Sequence, residues 1–405
     1  MDAASFSKTP FTLILFDINN FKQLNDYYGY NAGNVCLAHI AKQIKRFLSP
    51  QDLICRTEGD EFLILTDGKH TLESKVVKNL IHNIDNVWKY ENHLLLLKYR
   101  MGISIFPDHG KTVSELMKSA DESLVEAKKT NAPQVVIYNE QLAERKRATE
   151  IITAQLKKTL SGKSSSNRFV LHYQPKVDRH GTVKSAECLV RWIYEDKLYY
   201  PGTFIEIAEK TGLIYEIGDI VLDTGCKELA LIAQQNPTVN IALNISPQQL
   251  NNTKLFNSIH DKITKYSVNP EQLELEITES TIMDSWNSSE VETFIKQVRT
   301  AGIKVSIDDF GTGLSSLSRL LEMPADILKI DRSFVIHLPD NKKSQHMCKS
   351  ITSLAHDLGM SVVAEGVEQT GQAVFLYSIN CDYIQGFCFY KPMPFDDFIT
   401  LLANQ

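Results

Sequence analysis

The sequence predicts a mixed α/β protein: a TIM-like β/α barrel in the carboxy-terminal part, preceded by a smaller α+β domain. Three observations carry this. Residues 169–405 alternate apolar, strand-like runs with helical segments, the rhythm a β/α barrel requires. The polar residues of those runs fall in the strands or at their carboxy-terminal ends. The first 138 residues instead follow a strand-helix-strand-strand-helix-strand order, which suits a compact antiparallel domain.

Taken in order, 11–17 is an apolar strand and 33–48 has helical periodicity. Residues 52–56 and 60–66 form a hairpin about Thr57-Glu58-Gly59, and 94–106 is a further strand or pair. An amphipathic helix over 112–129 and a strand over 135–138 complete the domain, 1–138. A charged helix over 139–160 and the polar run Ser161-Gly162-Lys163-Ser164-Ser165-Ser166-Asn167 make 139–168 a linker. The barrel domain, 169–405, has candidate strands at 169–177, 184–192, 239–245, 272–277, 303–308, 326–330, 360–364 and 382–385.

Composition narrows the function. A 405-residue chain with 43% hydrophobic residues has material for two full cores. A net charge of -6 argues against binding duplex nucleic acid, which calls for a basic stripe. Seven cysteines without a CxxC pair fit reduced thiols in the cytoplasm. No apolar run approaches the ~20 residues of a membrane span. The expectation is a cytoplasmic protein, or the cytoplasmic part of a longer one whose membrane segments lie outside this chain.

The chemistry concentrates on one rim. Glu187 stands in the second barrel strand; Asn244, Glu276, Asp308, Lys329, Glu365 and Gln385 follow in or at the ends of the next six. In a barrel those ends meet at one mouth. A charged group in an apolar strand is costly unless paired or metal-bound. With Asp309, the acids and the Asn244 amide form an all-oxygen set that suits Mg2+ or Mn2+ better than zinc. Five acids are too many for one ion, and adjacent Asp308 and Asp309 suit a bridged pair, the arrangement for displacement at phosphorus. Lys329 is placed to hold the attacking water or neutralise developing charge, and Arg191 to take a phosphate oxygen. The competing reading is a rim whose charges only pair with one another.

These residues form a recognisable set. Glu187-Cys188-Leu189-Val190-Arg191-Trp192 resembles the signature of EAL-domain cyclic di-GMP phosphodiesterases, with Cys188 where Ala is usual. The likeness continues through Tyr173-Gln174-Pro175, Asn244-Ile245-Ser246, Glu276-Ile277-Thr278-Glu279-Ser280 and Asp308-Asp309-Phe310-Gly311-Thr312-Gly313. Leu328-Lys329-Ile330-Asp331, Ala364-Glu365-Gly366-Val367-Glu368 and Gln385-Gly386-Phe387 complete it. The resemblance implies hydrolysis of cyclic di-GMP to linear pGpG with two Mg2+ or Mn2+ ions. It assigns Glu187, Asn244, Glu276 and Asp308 to one ion, and Asp308, Asp309 and Glu365 to the other. It places Lys329 near the nucleophilic water, Glu279 as a brace for the Asp-Asp loop, and Gln385 beside the water. Gln174, Leu189, Arg191, Asp331 and Glu368 become substrate-binding positions. The alternatives are a receptor that holds the dinucleotide without cutting it, or a signalling scaffold.

The first half is similar to a GGDEF domain, the diguanylate cyclase module, with departures where the chemistry lies. Arg56-Thr57-Glu58-Gly59-Asp60-Glu61-Phe62 has Glu58 where the family has a glycine that leaves room for phosphates. Asp17 keeps one metal-ligand position, but Asn19 replaces a second acid and Asn34 the guanine-reading Asp. The resemblance therefore implies a degenerate, regulatory domain, with GTP as its candidate ligand and a homodimer as the assembly.

Overall fold

The computed structural model describes residues 9–57, 59–84, 87–129, 133–162, 166–285, 289–311 and 324–405. The chain divides into two compact units, Met1–Thr149 and Glu150–Gln405.

In the first unit the central strand β1 (Phe11–Ile18) is buried along nearly its whole length, as its unbroken apolar run requires. It pairs antiparallel with β3 (Glu61–Asp67) and β6 (Tyr99–Phe106). β2 (Leu53–Arg56) extends the sheet beside β3, and β7 (Val135–Ile137) extends it beside β6. Four details differ from the sequence reading. The β6–β7 pair is parallel, and the run around 94 belongs to a separate hairpin of β4 (Val87–Tyr90) and β5 (His93–Leu96). The first helix also begins earlier, spanning Phe21–Phe47 across a break at Gly29, where φ is +81°. A helix over Lys75–His82, held by buried Val77 and Leu80, was not anticipated. The helix Val113–Ala127 starts with a capping box between Thr112 and Glu115.

The second unit is a closed barrel. β8 (Arg168–Val177), β9 (Val183–Tyr194), β11 (Asn240–Asn244), β12 (Leu273–Thr278), β13 (Lys304–Phe310), β14 (Ile327–Ile330), β15 (Ser361–Ala364) and β16 (Tyr383–Gln385) form its wall. Short β10 (Lys197–Tyr199) and β17 (Met393–Pro394) pair at its edges, with β9 and β8. All wall strands run parallel from β9 to β16, but β8 is antiparallel to both neighbours and closes the ring between them. The strict strand–helix alternation of the sequence reading therefore fails at its first step. β8 and β9 form a hairpin, turned where Gly181 N donates to Asp178 O at 2.9 Å. Leu243, Leu275, Ile307, Leu328 and Ile384 are among the apolar core residues of the wall. Among the described residues no helix is long and apolar enough to cross a membrane.

Candidate active site at the barrel mouth

Strand pairing sets the site. On β9, Glu187 and Arg191 are four residues apart and share one face, with Leu189 between them on that face. Gln174 lies directly opposite Glu187 on β8. Asn244 and Glu276 are also paired neighbours, and Thr278 on β12 pairs with Asp308 on β13.

Lys329, fully buried, sits at the centre. Its Nζ lies 2.6 Å from Glu365 Oε1, 2.8 Å from Glu276 Oε2, 3.1 Å from Asp308 Oδ1 and 3.7 Å from Glu187 Oε2. Burial alone would depress the ammonium, but the carboxylates around it hold its pKa well above the usual value. Glu276 responds to two ammoniums, Lys176 and Lys329, which overrule its burial and pull its carboxyl down to about 2. Burial and the neighbouring acids push Glu365 the other way, up to about 8 despite Lys329. Glu187 is raised by burial and then by Glu276, and Asp309 by burial and then by Asp308.

Amides orient Glu187. Asn244 Nδ2 donates to its Oε1 at 2.7 Å, and Gln385 Nε2 to its Oε2 at 2.6 Å. Gln385 also reaches Gln174 Oε1 at 3.1 Å. The Asp308–Asp309 corner is made by the backbone. The ladder to β14 shifts register between Ile307 and Phe310, and Asp309 adopts φ +56°. This turns both carboxylates to one side, overcoming the alternation that would otherwise separate them. Asp308, Asp309 and Glu365 each offer an oxygen within 4.8 Å of the others. Behind the corner, buried Glu279 accepts from Gly311 N at 2.7 Å. Gly311 has φ +96°, and a Cβ there would meet Phe334 Cε2 at 2.7 Å, so only glycine fits.

The remaining sequence-predicted residues lie around this core. Arg191 is buried, lies over the Tyr200 ring at 5.1 Å and donates to Val190 O. Asp331 caps the short helix Arg332–Val335, accepting from Ser333 N at 2.9 Å. Glu368 is exposed and pairs with Arg332 at 2.8 Å. A cleft of about 520 Å3, largely apolar, opens beside the mouth and is lined by Leu189, Pro201, Ile205, Ile217 and Asn244. Sequence reasoning missed Lys176 and Glu274, which lie one pleat deeper. Lys176 Nζ is 3.0 Å from Glu274 Oε1 and 2.8 Å from Glu276 Oε1. The available signal was their two-residue spacing from Gln174 and Glu276.

The donor set fits hard divalent cations: it is all oxygen, over-rich in acid, and crowded enough to raise Glu365. Gln385 Oε1 adds a buried acceptor without a hydrogen-bond partner among the described residues.

In the first unit, Asp17 is buried at the end of β1 and takes Lys128 Nζ at 2.5 Å. Asp60 stands near enough for Asp17 to raise its pKa, after burial. Asn19 Oδ1 is buried without a partner among the described residues, and Asn34 is exposed on the helix Phe21–Phe47. Glu58, Thr312 and Gly313 lie outside the described residues.

A barrel closed by one reversed strand, with this carboxylate, amide and lysine mouth, defines the class. The chain belongs to the EAL domain family, whose model matches residues 155–392, and the diguanylate cyclase GGDEF domain model matches residues 1–134. Signaling protein YkoW of Bacillus subtilis is 36% identical over 400 residues, covering 97% of this chain and 49% of YkoW. The bifunctional diguanylate cyclase/cyclic di-GMP phosphodiesterase MucR of Pseudomonas aeruginosa is 33% identical over 397 residues, 97% of this chain and 57% of MucR. The chain thus spans about half the length of the curated relatives it matches. A solved structure described as PaMucR phosphodiesterase in a c-di-GMP complex is similar over 61% of this chain and 99% of that one. Its identity is 37% and its TM-score 0.57.

Proposed function

We propose that the barrel hydrolyses cyclic di-GMP to linear pGpG, using two Mg2+ or Mn2+ ions. The observation that carries this is the clustering of Glu187, Glu276, Asp308 and Glu365 around Lys329 Nζ, with Asp309 alongside. Glu187, Asn244, Glu276 and Asp308 would hold one ion, and Asp308, Asp309 and Glu365 the other. When bound, the ions polarise the phosphodiester and promote loss of a proton from the attacking water. Lys329 offsets charge that builds on phosphate oxygens as water adds to phosphorus and the bond to the ribose 3′-oxygen breaks. Gln385 Oε1 accepts from the water, Glu279 holds the Asp-Asp corner through Gly311, and Arg191 takes a phosphate oxygen. Gln174 and Leu189 contact the dinucleotide, and the apolar cleft beside Leu189 suits a flat purine. Asp331 and Glu368 are outer contacts.

The GGDEF-like domain, 1–138, takes a regulatory role without cyclase activity in this reading, with 139–168 as the linker to the barrel domain. Homodimerisation and GTP binding by this unit belong to the same reading. The deciding experiment is to incubate the chain with cyclic di-GMP and Mg2+ and follow pGpG by chromatography, with and without chelator. Metal-dependent pGpG supports hydrolysis; binding without product favours a receptor; neither favours a scaffold. Ca2+ is expected to bind yet support little turnover, because its longer, looser coordination misplaces the water.

A further inference from the structure

Glu276 is held from two sides. Its Oε2 faces Lys329 near the mouth, and its Oε1 takes Lys176 from beneath, each at 2.8 Å. Both ammoniums are essentially without exposure, as is Glu276. A carboxylate bridged this way cannot rotate about its terminal bond without breaking a charge-assisted hydrogen bond in a dry interior. Lys176 reaches the described mouth groups through Glu276, and its second partner, Glu274 Oε1 at 3.0 Å, lies on the same face of β12, two residues earlier.

We propose that Lys176, charge-balanced by Glu274, is a positioning residue that fixes the Glu276 carboxylate as a metal ligand. This rests on the reading that the mouth holds divalent cations. The competing account is a buried ion pair that merely fills the barrel floor. That account has physical weight, since apolar replacements of buried ion pairs are often neutral or stabilising. The two accounts differ in what happens when the whole pair is removed. A filler leaves the mouth unaffected. A clamp, once removed, frees Glu276 to turn, and losing the partner that orients a ligand typically costs about ten- to a hundredfold in metal affinity.

The test is calorimetric titration of the full chain with Mn2+ in the absence of substrate, beside thermal unfolding. Lys176→Met alone strands the Glu274 carboxylate in a dry interior, so the informative variant is Lys176→Met/Glu274→Gln, which removes both charges of the lower pair. It is expected to unfold near the temperature of the unsubstituted chain and to bind Mn2+ about ten- to a hundredfold more weakly. Glu274→Gln alone leaves the Lys176–Glu276 contact in place and is expected to bind Mn2+ nearly as the unsubstituted chain does. Unchanged Mn2+ affinity in the folded double variant overturns the proposal, as does a loss in Glu274→Gln equal to the double variant's. An unsubstituted chain that binds no Mn2+ overturns the metal reading and this one together.

Discussion

Glu187 and Gln385 stand 198 residues apart in sequence, yet the Gln385 amide donates to Glu187 Oε2 at 2.6 Å. The contact crosses β8, the reversed strand between β9 and β16, and Gln174 of that strand joins it at 3.1 Å. With Asn244 on the other oxygen, Glu187 is aimed before any ligand arrives.

Replacing Glu187 with Ala is therefore expected to lower turnover of cyclic di-GMP by about a thousandfold or more, because coupled catalytic groups act as a unit. Asp308→Asn should do the same. Dinucleotide binding is expected to survive in both, since Arg191 and the apolar cleft are untouched. Near-normal pGpG release from either variant would contradict the assigned site.

Gly311→Ala tests the corner behind the two aspartates. The positive φ and the Phe334 ring both oppose a Cβ, and the Gly311 N–H is the donor that holds Glu279. Turnover is expected to fall at least about tenfold while the barrel still unfolds cooperatively. Phe334→Ala in the same chain relieves the contact and should restore part of the rate; no recovery at all would locate the strain elsewhere.

The first unit is expected to make no cyclic di-GMP. The assay uses the Glu187→Ala chain, so that product is not consumed, with GTP and Mg2+. On that reading Asn19 would weaken a metal position beside Asp17, whose carboxylate pairs with Lys128 at 2.5 Å. Accumulating cyclic di-GMP would overturn the regulatory assignment.

His109 supplies a pH test. Its Nδ1 accepts from Ile105 N at 3.1 Å, which requires an unprotonated nitrogen, and burial lowers its pKa below the ordinary 6.5 despite Asp108. A depressed histidine contributes stability above its unfolded pKa and loses it as pH falls through the folded value. The first unit should therefore weaken on acidification below about pH 6.5. The drop in urea midpoint between pH 6.5 and 5 is expected to shrink in His109→Asn, whose amide oxygen can still accept but does not titrate. An equal drop in both chains would remove His109 as the cause.

The barrel was legible because each wall strand is a short apolar run whose polar residues have a reason to be there. The site was legible for the same reason: Glu276, Asp308 and Lys329 make no sense in a core unless they converge. Strand direction was legible only in loop length, since six residues between the candidate strands 169–177 and 184–192 are too few for a parallel crossover. An apolar run reads the same in a parallel or an antiparallel ladder, so the reversal of β8 left no mark in periodicity. Lys176 and Glu274 were hidden because they lie toward the floor: Glu274 is the second residue of β12, and the reversal of β8 carries Lys176, its penultimate residue, away from the mouth. In the first unit, Gly29 interrupts the helical pattern and obscured the true start at Phe21.

The reversal of β8 also decides where the polypeptide joins the barrel. A parallel first strand is entered from the floor; a reversed one is entered from the rim, and Arg168 lies across from Ile193, beyond Glu187. The last part of the helix Glu140–Leu160, from residue 150 on, docks at that end, where Thr159 receives the Trp192 indole N–H at 3.0 Å, one residue past Arg191. The chain thus enters the barrel at the doorway, five residues of β9 from Glu187, and not through the floor.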